Sequence, residues 1–244
     1  MNSKPRPYRI FPLGDSALTI EYGQVIDPEL NEEVIARFRE WQEHPIPGMT
    51  EALPAYSSLT VYYDILTAVK LAGPGVTAFD FMKTETEKRL MVPVSFNLSE
   101  PRVLSVPVCY EPVFAPDISR LAEYRGISVE EVIREHTSGI YQVYMLGFLP
   151  GFAYMGEVSE KISHPRKPVP EPTAAGSVGI AGRQTGIYPL DSPGGWQIIG
   201  RTPIQVFDRN RTEPSFFRAG DRVRFFSITK SDFENRVREK IDMP

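Results

Sequence analysis

The chain has one cysteine, Cys109, among 244 residues. No internal disulfide can form, and no thiolate cluster can hold a metal. Histidine is nearly as scarce: His44, His136 and His164 stand far apart, none at metal-ligand spacing from another. Positive charge is not in excess. With Lys+Arg 27 against Asp+Glu 31 the formal net charge is −4, which leaves no electrostatic footprint for nucleic acid. No apolar run approaches the ~20 residues that span a bilayer, and the stretch Met1 to Arg9 is polar, with no apolar signal core. Asn97-Leu98-Ser99 and Asn210-Arg211-Thr212 are then sequons by letter only, and a reducing cytosol is the expected compartment. The sequence also lacks a G-x-x-x-x-G-K-[ST] loop and any serine in a nucleophile-elbow context.

What the chain has in quantity is proline. Its 23 prolines are about twice the usual share, and most lie beyond Pro93, which points to a change of architecture along the chain. Apolar alternation around Gly14-Asp15 predicts a hairpin over Tyr8 to Glu21. Asp27 and Pro28 are an N-cap and first helical position, opening a helix to about His44 with Leu30, Val34, Phe38 and Trp41 on one face. Met49 to Ala55 and Leu59 to Asp64 follow as strands, then a helix over about Thr77 to Leu90 and a strand from Leu104 to Cys109. Strand–helix–strand–strand–helix–strand is the order of a small ferredoxin-like α/β layer.

A helical connector over residues 116–137 comes next: a short helix from Pro116-Asp117, then a second with Ser128 and Glu131 as its capping box. Beyond Thr137 the helical period stops. Ile140 to Phe148, Ile187 to Leu190, Trp196 to Arg201, Gln205 to Phe207 and Arg222 to Ile228 predict short strands of a closed or nearly closed antiparallel barrel. The expected class is α+β, with domains at 1–100 and 101–244.

Three loops stand out by composition: Gly147-Phe148-Leu149-Pro150-Gly151-Phe152-Ala153-Tyr154; Ala175-Gly176-Ser177-Val178-Gly179-Ile180-Ala181-Gly182-Arg183-Gln184-Thr185-Gly186-Ile187-Tyr188-Pro189; and Ser192-Pro193-Gly194-Gly195-Trp196, leading to Gly200-Arg201-Thr202-Pro203. Segments so dense in glycine and proline are corners of a tight barrel or walls of a site. Barrel turns are the expected role for most of Gly176, Gly179, Gly182 and Gly186. These motifs resemble those of the KipI/PxpB family, also called allophanate hydrolase subunit 1, closely from Gly147 to Phe207. The sequence departs from the family where a second Pro-Arg pair often precedes the AGSV motif: here Pro168 to Ala174 has none, with Arg166 and Lys167 nearby.

The resemblance implies a ferredoxin-like N-terminal domain followed by a cyclophilin-like β-barrel. It implies partners, a PxpC-like second subunit and a PxpA-like protein, with which 5-oxoproline is opened to glutamate at the expense of ATP, the ATP bound with or by those partners. Two other roles follow from it: inhibition of a sporulation histidine kinase, and membership of a urea carboxylase or allophanate hydrolase system. His136, Gln184 and Tyr188 are the candidate catalytic residues, the last two as polar groups in a fixed loop suited to a small amide. Arg183 and Arg201 are candidates for holding a carboxylate, and Trp196 and Phe152 for walling a pocket. No metal site and no stand-alone catalytic triad are expected.

Overall fold

The structure, a computed structural model, describes residues 6–93 and 101–241. The sequon at Asn97 and residues 1–5 lie outside them. The chain divides into two compact units, Met1–Glu100 and Pro101–Pro244, and it is a mixed α+β protein. Among the described residues no helix is long and apolar enough to cross a membrane.

The first unit runs β1 (Arg9–Pro12), β2 (Ala17–Glu21), α1 (Pro28–Glu43), β3 (Met49–Pro54), β4 (Ser58–Tyr63), α2 (Ile65–Ala72) and α3 (Ala78–Leu90). Local chemistry sets these limits. The Asp27 carboxylate accepts the Leu30 N–H at 2.9 Å, with Pro28 in the first turn, as the sequence predicts. Leu30, Val34 and Trp41 are buried on one face of α1 and join Leu18, Ile20, Leu59, Val61 and Met82 in one core.

The four strands are ordered β1-β2-β4-β3, every neighbouring pair antiparallel. Strands β2 and β3 run the same way with β4 between them, a split βαβ. The sixth element expected for this layer, Leu104 to Cys109, is not part of it. Its place beside β2 is filled by β1, from the N-terminal hairpin. Helix α2, which the sequence pattern does not announce, is capped by Asp64, whose carboxylate accepts the Thr67 N–H at 2.7 Å. It buries only Ala68, and Ile65, Leu66, Val69 and Leu71 stay exposed.

The second unit holds β5 (Val103–Val108), α4 (Ile118–Arg125), α5 (Val129–Ser138), β6 (Tyr141–Leu146), β7 (Ala153–Gly156), β8 (Glu171–Thr173), β9 (Ser177–Ala181), β10 (Gln184–Ile187), β11 (Ser192–Gly194), β12 (Gln197–Arg201), β13 (Arg222–Ser227) and α6 (Lys230–Ile241). The Ser128/Glu131 capping box forms as predicted. Seven strands make one sheet, β12-β9-β10-β7-β6-β13-β5. Its two outer strands meet where Cys109 and Arg201 exchange backbone hydrogen bonds of 2.8 and 3.0 Å. Gly200 permits this seam: a Cβ there would stand 2.6 Å from Val108 Cγ1 and 3.0 Å from the Cys109 carbonyl oxygen.

The barrel departs from a purely antiparallel one, because β5 pairs parallel with β13. Val106 and Val108 of β5 are buried in the barrel core, which explains why this strand belongs here. Gln205 to Phe207, expected as a strand, contributes only a bridge from Phe207 to Ser215. Strand β8 pairs with β11 in a separate two-stranded ribbon.

Candidate functional site

The glycine-rich motif is a β-hairpin, β9 paired with β10, and alternation along it sorts the side chains to two faces. Val178, Ile180 and Ile187 point into the main core, joined by Ala153 and Met155 of β7. Phe152, Ala181, Tyr188, Trp196 and Ile198 form a separate cluster, with Leu149 and Tyr154 packed on it. One wall of the barrel, β7-β10-β9-β12, therefore carries aliphatic side chains inside and aromatic ones outside.

The outer rings pack around Phe152. Phe152 meets Tyr154, Tyr188 and Trp196 edge to face at centroid distances of 4.8, 5.3 and 5.4 Å, the geometry the ring quadrupole favours. Two glycines of the motif make room for them. A Cβ on Gly179 would lie 3.0 Å from Trp196 Cβ, and one on Gly186 would lie 2.9 Å from the Ala153 carbonyl and 3.2 Å from both Phe152 Cζ and Trp196 Cζ3. The expectation that most of these glycines are turns holds for Gly176 (φ +82°) and Gly182 (φ +58°), but Gly179 and Gly186 lie within paired strands, the first close under Trp196 Cβ and the second under the Phe152 and Trp196 rings. At the edge of the cluster Phe148 adopts a left-handed conformation, φ +70°, with its ring exposed, a backbone state costing ~1–2 kcal/mol for an L residue.

His136 lies elsewhere, in the barrel interior. It is wholly buried, stacked on Phe225 at 4.5 Å. The Thr185 hydroxyl donates to the Gly179 carbonyl at 3.1 Å, so it accepts from His136 Nε2–H at 3.0 Å. His136 Nδ1 then accepts from the Tyr110 hydroxyl at 2.7 Å. Burial pushes the imidazole down to about 3 and the Tyr110 phenol well above its ordinary value. With both nitrogens hydrogen-bonded, the ring ties α5 to β10.

Gln184 sits on the opposite face of β10 from Thr185, the face that carries the aromatic cluster, and is half-buried. Tyr188 is buried within the cluster; burial holds its phenol above the ordinary range, opposed by a hydrogen bond from the Trp196 backbone and by the charge of Arg166. The two candidate arginines are not together. Arg183 pairs with Glu157 at 2.8 Å, and Arg201 Nε donates to the Ala175 carbonyl at 2.8 Å. Phe152, Tyr188, Trp196 and Gln184 are thus collected on one outer face, and His136 is behind the wall.

Beside this face lies a polar device that the sequence pattern does not reveal. The Lys167 ammonium, almost wholly buried, lies 2.7 Å from Asp117 Oδ2 and also pairs with Glu171. Asp117 accepts the Ile198 N–H at 2.7 Å and Arg120 at 2.8 Å, and Arg120 donates to Gln197 as well. A buried ammonium needs such partners. The signal available in sequence is a lysine between an arginine and a proline, Arg166-Lys167-Pro168, which does not disclose its partner.

The glycine motif does not fit a phosphate cradle for ATP. Gly176 to Gly186 is a hairpin rather than a strand-to-helix turn, and its backbone amides serve the sheet. Among the described residues no group of three His, Cys, Asp or Glu side chains is placed to hold a metal. The Cys109 thiol is buried in the barrel seam and pushed up by that burial.

An α/β sheet unit followed by a closed mixed barrel is the carboxyltransferase C-and-D kind of protein: residues 8–217 match the family described as "Carboxyltransferase domain, subdomain C and D". The chain belongs to that family, in its KipI/PxpB branch. It is similar to the 5-oxoprolinase B subunit of Bacillus subtilis (strain 168), with 44% identity over 228 residues, 93% of this chain and 95% of that one. The protein of the same name from Escherichia coli O157:H7 is 35% identical, over 89% of this chain and 94% of its own. The K. lactis urea amidolyase structure superposes with a TM-score of 0.75 at 19% identity, covering 98% of this chain and 16% of that one, a likeness of fold.

Proposed function

We propose that this chain is the B component of an ATP-dependent 5-oxoprolinase, acting in the cytosol with a PxpC-like second subunit and a PxpA-like subunit to open 5-oxo-L-proline to L-glutamate. The observation that carries this reading is the near full-length 44% identity to a 5-oxoprolinase B subunit. Ring opening breaks the lactam C–N bond, with water supplying the new carboxylate oxygen. ATP is handled by the partners, consistent with the hairpin geometry of the glycine motif.

The site supports one component of an assembly rather than a self-sufficient hydrolase. The aromatic wall of Phe152, Tyr188 and Trp196, with Gln184 beside it, is suited to a small planar amide but lacks a nucleophile of its own. Arg183 and Arg201 flank this face, and His136 acts by holding β10 from inside. The exposed apolar residues of α2, Ile65, Leu66, Val69 and Leu71, are the kind of surface a partner covers. In this reading the two units, at 1–100 and 101–244, are a ferredoxin-like layer and a cyclophilin-like barrel.

Purification of the chain from its native cells tests the assignment. A stable complex with a second-subunit homologue and a PxpA-like protein is the expected result. Recovery of the chain with neither, under conditions that preserve other complexes, contradicts it.

A further inference from the structure

Of the two arginines expected to bind a carboxylate, Arg183 is paired with Glu157, and Arg201 is half-buried with its Nε held by the Ala175 carbonyl. Arg166 stands differently. It is exposed, and among the described residues no carboxylate pairs with it. Its guanidinium lies against Gly195, where a Cβ would be 3.4 Å from Nη2 and 3.5 Å from Nε. Its charge reaches both the Tyr154 and Tyr188 phenols, drawing them down against the larger upward effect of burial.

The backbone around Arg166 is fixed on both sides. His164 exchanges backbone hydrogen bonds with Gly182 at 3.3 and 2.7 Å. The Pro165 carbonyl accepts from Gln197 Nε2 at 2.9 Å, and the Lys167 N–H donates to the Gly195 carbonyl at 2.7 Å. The Lys167 ammonium then anchors the segment to Asp117. An arginine presented on a rigid segment beside an aromatic face, its donor fork without an acid partner, is pre-organised for a planar anion.

We propose that Arg166 is the specificity residue that recognises the carboxylate of the small amide substrate, by paired N–H···O bonds at the edge of the Phe152–Trp196 wall. This rests on the oxoprolinase reading, which supplies a substrate bearing a carboxylate next to its lactam. It predicts discrimination between 5-oxoproline and its carboxamide, since a fork built for a carboxylate is poorly matched by a neutral amide.

The test uses the chain assembled with its partner subunits, as wild type, Arg166→Gln and Arg166→Lys. Binding of labelled 5-oxo-L-proline is measured by equilibrium dialysis, alongside 5-oxoproline-dependent ATP hydrolysis. Arg166→Gln is expected to weaken binding and raise KM about tenfold or more, to leave kcat within about threefold, and to erase the preference over the carboxamide. Arg166→Lys is expected to fall between the two, keeping the charge without the fork. Unchanged thermal unfolding of the variants, expected for an exposed side chain, separates recognition from folding. Wild-type affinity and preference in Arg166→Gln would overturn the proposal, as would loss of partner subunits from that variant, which would make Arg166 a protein contact. Arg166-dependent binding without ATP hydrolysis by the wild type would sink the enzyme reading and leave this inference standing. Turnover untouched by the substitution would do the reverse, and a wild-type assembly that neither binds nor turns over 5-oxoproline overturns both.

Discussion

His136 Nε2 meets the Thr185 hydroxyl at 3.0 Å inside the barrel, and that contact joins helix α5 to the back of the strand whose front carries the aromatic wall. Because the Thr185 hydroxyl donates to the Gly179 carbonyl at 3.1 Å, it accepts from the Nε2–H of the neutral imidazole. Burial holds His136 in the folded state at about 3, against an ordinary value of ~6.5 in an unfolded chain.

Below ~6.5 the unfolded chain takes up a proton that the folded chain refuses, so this contribution is present above that pH and is lost as pH falls toward 3. Urea unfolding at pH 7.5, 6 and 5 is expected to show stability falling, with a slope approaching ~1.4 kcal/mol per pH unit. His136→Asn is expected to flatten that slope while lowering stability throughout. Thr185→Val, which strands the Nε2–H donor, is expected to cost about 1–3 kcal/mol.

The Asp117–Lys167 pair makes a second prediction. Asp117→Asn keeps an acceptor for the Ile198 N–H but removes the charge opposite a buried ammonium, and is expected to destabilise the chain by about 3 kcal/mol. Replacing both, as Asp117→Asn with Lys167→Met, is expected to recover much of that loss in a double-mutant cycle of thermal or urea unfolding. Additive losses would show that the two side chains do not act as a pair.

The glycines under the aromatic rings make a third. Gly186→Ala places a methyl 2.9 Å from the Ala153 carbonyl and 3.2 Å from the Phe152 and Trp196 rings, so the rings must move. A loss of about 1–3 kcal/mol and a changed near-ultraviolet circular dichroism spectrum are expected. An alanine at Gly195, where the nearest atoms are 3.4 Å away, is expected to be far milder. Equal effects at both positions would argue against rings resting on the Gly186 backbone.

Local signals in the sequence are legible. Asp27-Pro28 and Ser128/Glu131 start helices where their hydrogen-bonding chemistry requires, and Phe152, Tyr188 and Trp196 gather in one cluster. What is not legible depends on partners distant in the chain. The strand character of Val103–Val108 shows in its composition, but its parallel pairing with β13 does not. Helix α2 escapes detection because Ile65–Ala72 is an apolar run with little polar alternation, which periodicity cannot separate from a strand. The motif glycines look alike in sequence, yet some bend the chain and others carry rings. Arg166 and Arg183 also look alike, and only Glu157 beside one of them tells them apart.

On the proposed reading, this chain completes an enzyme it does not constitute alone. The direct measurement is 5-oxoproline-dependent ATP hydrolysis by the purified chain, by the proposed PxpC-like and PxpA-like partners without it, and by all three combined. Activity only in the three-protein mixture is the predicted result; no activity in that mixture, or full activity from the partners without this chain, would contradict it.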